Sequence, residues 1–287
     1  MIELLHGLYE DEAHVFALTL SSAGIPHTVV KSDEDEFGLW VEREDVNRAI
    51  GVIREYMAEN RDEDTAEAAP SDYEKSWAGI WGAVGLLIFY AMTAVGELHK
   101  GFVQMYGSSA SRVLDGELWR TVTALMLHSD EVHLVGNMVG IAIFGSAVCG
   151  LTGWGMGAGL ILLSGVLGNL ANAMFYETRH VSIGASTAVF GALGIVVAHQ
   201  VFNKIKHRRQ RIKAWLPLAG GLALLAILGS GAGSDIMAHL FGFLFGILLG
   251  FGYVFMGRRP KRTWQFAVFG LFLVVVVGSW VAPIIHS

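Results

Sequence analysis

Charge is what this sequence has least of. Only 16% of its 287 residues are Asp, Glu, Lys or Arg against 53% hydrophobic, with a mean hydropathy of +0.49. A soluble domain carries about a quarter charged residues, so the deficit excludes an ordinary globular enzyme and points to a polytopic membrane protein. Proline is scarce at 5 while glycine reaches 36, a balance that suits closely packed membrane helices better than disorder. A single cysteine, Cys149, excludes an internal disulfide, and in an apolar helix it is given no chemistry. No basic n-region, apolar h-region and small-residue cleavage site opens the chain, so no signal peptide is expected. The net charge of −6 gathers near the N-terminus, and no stretch reads as a nucleic-acid module. No nucleic-acid partner and no cofactor are expected.

What is present falls into two regions. Residues 1–58 read as a small α+β domain. "IELLHGL", "PHTVVKS" and "FGLWVER" are strands, and "YEDEAHVFALTLSSAG" is an amphipathic helix with Val15, Phe16 and Leu18 inward. "DVNRAIGVIREYMAEN" is a second helix with Val46, Ile50 and Ile53 at helical spacing, which completes a βαββα order. Residues 59–76 are acidic and aperiodic, as a linker would be. From Trp77 onward, apolar runs of spanning length occur at about 77–96, 132–150, 154–175, 183–202, 214–230, 236–256 and 264–284. Seven helices are expected, the last following a basic loop within 257–287. No internal repeat is evident, which argues against an inverted-repeat transporter.

Lys and Arg orient the bundle. "NKIKHRRQRIK" (203–213) holds six and "GRRPKR" (257–262) holds four, whereas the opposite loops hold only Lys100, Arg112, Arg120 and Arg179. Positive residues collect on the cytoplasmic side, so both basic loops and the N-terminal domain are placed inside and the C-terminus outside. The second, fourth and sixth helices then enter from the outer face.

That topology brings four polar side chains to one depth. Ser186 in "SIGASTAVFGALG" lies about a turn into the fourth segment and His239 about a turn into the sixth. His133 stands at the entrance of the second, and Asn137 follows at i+4 on the same face. Each has a plain explanation alone: a serine packs between helices, an interfacial histidine is solvated, an asparagine bonds a neighbouring helix. Their coincidence favours a water-accessible site. Gly184, Gly191 and Gly194 on one helix, with Gly242 and Gly246 on another, let those backbones approach. A serine hydroxyl is a weak nucleophile until a base takes its proton, and His239 is the candidate base. Asn137, His133 and backbone N–H groups near Ser186 can donate to an oxyanion. No carboxylate lies in the spans to complete a triad. Asp235, four residues before His239, either orients it or caps the sixth helix.

These residues carry a resemblance. "GASTAVFG" (184–191) resembles the GxSxxxFG motif of the rhomboid intramembrane serine proteases, "HSDEVHLVGN" (128–137) their HxxxxHxxxN and "AHLFGFLFG" (238–246) their AHxxGxxxG. "GELWR" (116–120) is similar to the Trp-Arg element of their first outer loop. The match runs in order over residues 77–256 and implies a six-helix rhomboid core with the seventh helix as an addition. It implies Ser186 as nucleophile, His239 as base, and Asn137 and His133 as oxyanion donors. It also implies Phe190 packed on the catalytic histidine, with Gly184 and Gly242 in supporting places. Trp119 and Arg120 read from sequence as a membrane anchor, whereas the resemblance implies a brace within the outer loop, and His128 a hydrogen-bonding support. The implied substrates are membrane-anchored proteins cut in or just outside a transmembrane segment. The N-terminal domain is similar in pattern to the cytoplasmic domain of some bacterial rhomboids.

Three rivals stand beside that reading. A rhomboid-like protein that binds clients without cutting them typically lacks the serine or histidine present here. A metal-dependent protein could use His128, His133, His180 and His239, yet there is no HExxH. A solute transporter fits hydropathy alone.

Overall fold

The structure is a computed structural model that describes residues 1–31, 36–60, 73–94, 97–177, 180–206, 215–229, 234–256 and 259–286. Most of the linker expected at 59–76, much of the basic loop at 203–213, the start of the one at 257–262, and Arg179 lie outside the described residues. The chain divides into two units, Met1–Ser71 and Asp72–Ser287.

The first unit runs β1 (Ile2–Leu8), α1 (Glu10–Ser22), β2 (His27–Lys31), β3 (Phe37–Val41) and α2 (Val46–Asn60). Its antiparallel sheet has the order β1-β3-β2. The core joins Leu20, Ile25, Leu39, Val41, Ala49 and Ile53, with Phe16 and Val46 packed against it. Three residues expected inward are not. Val15 and Leu18 are exposed because the buried face of α1 runs through Ala13, Ala17 and Leu20, at i, i+4 and i+7. Ile50 is exposed because Ala49, one position and about 100° away, takes the core-facing place on α2.

Among the described residues the second unit is helical apart from two short strands. It opens with α3 (Ala78–Thr93), α4 (Glu97–Tyr106), β4 (Ser108–Ser109), α5 (Ala110–Leu114) and α6 (Arg120–Thr123), which runs into a 3₁₀ turn at Ala124–Met126. Next come α7 (Glu131–Gly140), a π-helical turn at Ile141–Gly145, α8 (Ser146–Thr152), α9 (Trp154–Tyr176) and β5 (Val181–Ser182). It closes with α10 (Ser186–Lys206), α11 (Leu216–Gly229), α12 (Ile236–Phe255) and α13 (Arg262–His286). Among the described residues, five stretches are long and apolar enough to cross a membrane: Glu131–Thr152, Trp154–Tyr176, Ser186–Ile205, Ile236–Phe255 and Arg262–Ile285. The pair Ala78–Thr93 and Leu98–Tyr106, bent by 119°, makes a sixth if taken as one span. The segment expected at 214–230 forms the 14-residue α11. At 1.5 Å per residue that is about 21 Å, short of a hydrocarbon core of about 30 Å.

α10 is the central helix: 61% of its most apolar 18 residues are buried, against 33% of those of α12 and none of those of α13. Small residues set its distance from α12. A Cβ on Gly242 would strike the Thr187 carbonyl, and one on Gly246 the Gly191 carbonyl, so the two backbones touch there. α13 docks at its start on α9, where Phe266 and Phe269 pack on Trp154 and one polar side chain bonds the backbone. The buried Gln265 accepts hydrogen bonds from the Gly155 and Met156 amides (2.9 and 2.8 Å) and donates to the Thr152 carbonyl (3.0 Å). These are groups that the α8–α9 turn and the first turn of α9 leave without helical partners.

Candidate active site

The site forms where α7, α10 and α12 begin. Ser186 is the first residue of α10, not a turn inside it as the hydropathy suggested. Gly184 causes the difference: its φ of +122° is one that L side chains rarely adopt, so the helix cannot extend back through it. Ser186 is therefore half-buried at a helix N-terminus, where the backbone N–H groups of the first turn have no helical acceptor. The buried His239 lies one turn into α12, and its Nε2 is 2.8 Å from Ser186 Oγ. Its Nδ1 is 3.1 Å from the Gly229 carbonyl. A carbonyl only accepts, so Nδ1 carries the proton and Nε2 is bare to receive one from the serine. Phe190 packs on the imidazole with ring centroids 4.7 Å apart.

Asp235 does not reach that imidazole. It caps α12 by accepting from the Ala238 amide (3.1 Å), and its other oxygen accepts from His180 Nε2 and Asn172 Nδ2, both at 2.6 Å. Burial works against ionisation of Asp235. Hydrogen bonds from His180, the Ala238 amide and Ser182 outweigh it and hold the carboxyl below the usual carboxylate range. The group that orients His239 is thus the Gly229 carbonyl, which sequence reasoning missed because a backbone atom leaves no mark in residue identity.

His133 and Asn137 line the α7 side. A Cβ on Gly184 would meet His133 Nε2, so that ring lies directly against the loop ahead of Ser186. Ser129 donates to Asp130 (2.7 Å), leaving its oxygen to accept from His133 Nδ1 (3.1 Å). Neutral His133 therefore presents a bare Nε2 toward the site, and only its doubly protonated form can donate from there. Asn137 is buried, and its amide donates to the His133 carbonyl of its own helix (3.0 Å). Asp130 caps α7 on the His133 amide (2.9 Å), and an Asp just before an apolar run is a helix-start signal present in the sequence.

The outer loop supports this ensemble. The Gly184 amide donates to the Ala124 carbonyl (2.9 Å), and the Ala185 amide to Nε2 of the fully buried His128 (3.4 Å). Burial and the adjacent His133 imidazole push the His128 pKa down to about 4, so it is a neutral acceptor. Strands β4 and β5 pair Ser108 with Ser182 and Ser109 with Val181. Arg120 is not a lipid-facing anchor. It is 2% exposed, and its guanidinium donates to the Gln104 and Gly107 carbonyls (3.2 and 3.0 Å) and pairs with Glu117. Trp119 beside it is half-buried. Among the described residues no three His, Cys, Asp or Glu converge as a metal site; His180 and His239 are engaged by Asp235 and Ser186.

A serine hydroxyl facing the bare nitrogen of an oriented imidazole, at a helix N-terminus, is an arrangement suited to nucleophilic attack. Comparison with known proteins identifies the family. Residues 115–256 match the family model described as "Rhomboid domain". The Bacillus subtilis protein named "Putative rhomboid protease YdcA" is 30% identical over 139 residues, covering 48% of this chain and 69% of that protein. "RHOMBOID-like protein 6, mitochondrial" of Arabidopsis thaliana is 32% identical over 156 residues, 54% of this chain and 49% of that one. "Inactive rhomboid protein 2" of Homo sapiens is 30% identical over 178 residues, 58% of this chain and 21% of that one. The chain thus spans about half the length of the Arabidopsis relative and about a fifth of the human one. It is a multi-pass membrane protein, and it belongs to the rhomboid family.

Proposed function

We propose that this protein is an intramembrane serine endopeptidase that hydrolyses peptide bonds in or near the transmembrane segments of membrane-anchored substrates. The observation that carries the reading is the 2.8 Å contact between Ser186 Oγ and His239 Nε2, with His239 Nδ1 committed to the Gly229 carbonyl. Ser186 Oγ attacks the scissile carbonyl carbon while its proton passes to His239 Nε2. The resulting oxyanion takes hydrogen bonds from the orphan N–H groups opening α10 and from the Asn137 amide, with His133 contributing when doubly protonated. Collapse breaks the C–N bond as His239 returns the proton to the leaving amine. A water, deprotonated by His239, then cleaves the acyl ester and restores Ser186. Gly184 and Gly242 keep the helices close enough for this, and Phe190 holds the imidazole plane. A cavity of about 510 Å³ beside the site, bordered by Gln104, Arg112, Ser129 and Ile183, gives room for substrate side chains. The Lys/Arg asymmetry of the loops supports a location in the plasma (inner) membrane with the N-terminus cytoplasmic and the C-terminus extracytoplasmic.

The second reading is a client-binding protein without catalysis, as the name of the human relative makes relevant. Cleavage of a model transmembrane substrate by purified protein decides between them. Ser186→Ala and His239→Ala are each expected to abolish cleavage, and the double variant to be no worse than either, because the pair acts as a unit. A serine-directed phosphonate is expected to label the wild type with or without chelator. Turnover unchanged in either single variant would refute the dyad, and chelator-sensitive turnover would favour a metal enzyme.

A further inference from the structure

The seventh helix, α13, carries an aromatic side chain that the mechanism above does not use. Its lipid-side residues Val274, Val277, Val281 and Ile284 are exposed, as expected of a peripheral helix. Trp280 is not among them. Its ring centroid lies 4.2 Å from that of Tyr106, 4.7 Å from Phe89 and 6.4 Å from Phe102, and its Nε1 donates to Met126 Sδ at 3.2 Å. A tryptophan that anchors a helix in the interface turns its N–H to water; this one turns it inward. Gln265 fixes the start of α13 beside the start of α9, so Trp280 comes to the opposite end, the one that holds the site.

What Trp280 touches matters because of what flanks Met126. Two residues before it, the Ala124 carbonyl receives the Gly184 amide; two residues after it, His128 Nε2 receives the Ala185 amide. Those two peptide groups immediately precede Ser186. Tyr106, the nearest ring facing Trp280, is bound to the same segment through its carbonyl, which accepts from Thr123 Oγ1 (2.6 Å). A continuous path of packed and hydrogen-bonded groups therefore leads from α13 to the backbone that sets the nucleophile.

We propose that Trp280 is a positioning residue for the reaction: through Tyr106 and Met126 it braces the Ala124–His128 segment, and so fixes Ser186 against His239. The proposal rests on the serine-protease reading, and it makes the seventh helix part of the enzyme. A nucleophile displaced by a fraction of an ångström loses rate and leaves substrate binding intact, so the brace acts on kcat and leaves KM alone.

The test uses the full chain in detergent, a model transmembrane substrate and a serine-directed phosphonate. Trp280→Leu keeps α13 apolar but removes the rings' partner and the N–H. It is expected to lower kcat and the Ser186 labelling rate about tenfold, with KM within about twofold of wild type. Trp280→Phe restores a ring at the same place and is expected to stay within about threefold of wild type. Should Trp280→Leu fail to fold, Tyr106→Leu removes the facing ring and leaves α13 untouched, with the same tenfold fall expected. A wild-type labelling rate in the folded Leu variant overturns the proposal, as does a defect that Phe does not relieve or one confined to KM. Failure of the dyad itself is seen separately, as absence of Ser186 labelling in the wild type.

Discussion

Four histidines of the outer end, His128, His133, His180 and His239, divide between two tautomers according to what the neighbour of each can accept or donate. His239 protonates Nδ1 because a carbonyl faces it; His133 does so because Ser129 has given its own proton to Asp130. His180 gives its Nε2 proton to Asp235, and His128 keeps Nε2 bare for the Ala185 amide. Ser186 and His239 were legible in the sequence because a polar residue in an apolar run is expensive and therefore conspicuous. Gly229 was not, since any residue brings a carbonyl. His128 supplies a prediction. Its folded pKa of about 4 lies below the ordinary histidine value of about 6.5. Between those limits the unfolded chain holds a proton that the folded chain does not, so the stability this group confers is complete above about pH 6.5 and drains away as pH falls to about 4. Thermal unfolding in detergent from pH 7.5 to 4 is expected to show a shallower fall for His128→Gln than for wild type. Parallel curves would remove His128 as the cause.

At the scale of elements, the site depends on where helices begin and how near they come. The hydropathy windows located the second, fourth and sixth helices at the same end. They misplaced the first residue of α10, because window averages do not register the backbone sign that Gly184 imposes. Arg120 misled for a similar reason. Its partners are carbonyls at the end of α4, visible only once the outer loop has folded around it. The contact of Gly242 with the Thr187 carbonyl was foreseeable only as a tendency of small residues. It is testable as a fact. Gly242→Ala adds a methyl group where backbone already stands, with no flexible side chain to yield. Overpacking of this kind costs about 1–3 kcal/mol, and it drives α12 away from α10, the helices that carry His239 and Ser186. Both a lower Tm and slower phosphonate labelling are expected. Unchanged values for both would show that the pair is looser than drawn.

For the whole molecule, periodicity gave the βαββα order of the first unit. It put Val15, Leu18 and Ile50 on the wrong face because short helices offer few turns over which to average. Orientation rests on the Lys/Arg asymmetry, and reporters can read it. Those inserted at 203–213 or 257–262 are expected to register as cytoplasmic, and those at 99–130 or after Trp280 as extracytoplasmic. A cytoplasmic signal after Trp280 would mean that α13 does not cross.

Gln265 gives the molecule a timetable. The amides that it receives at the start of α9 are made 110 and 109 residues earlier in the chain. At about 5–20 residues per second of synthesis, they wait roughly 5–22 s for their acceptor. Until α13 has been made, the foot of α9 lacks the side chain that completes its backbone hydrogen bonds.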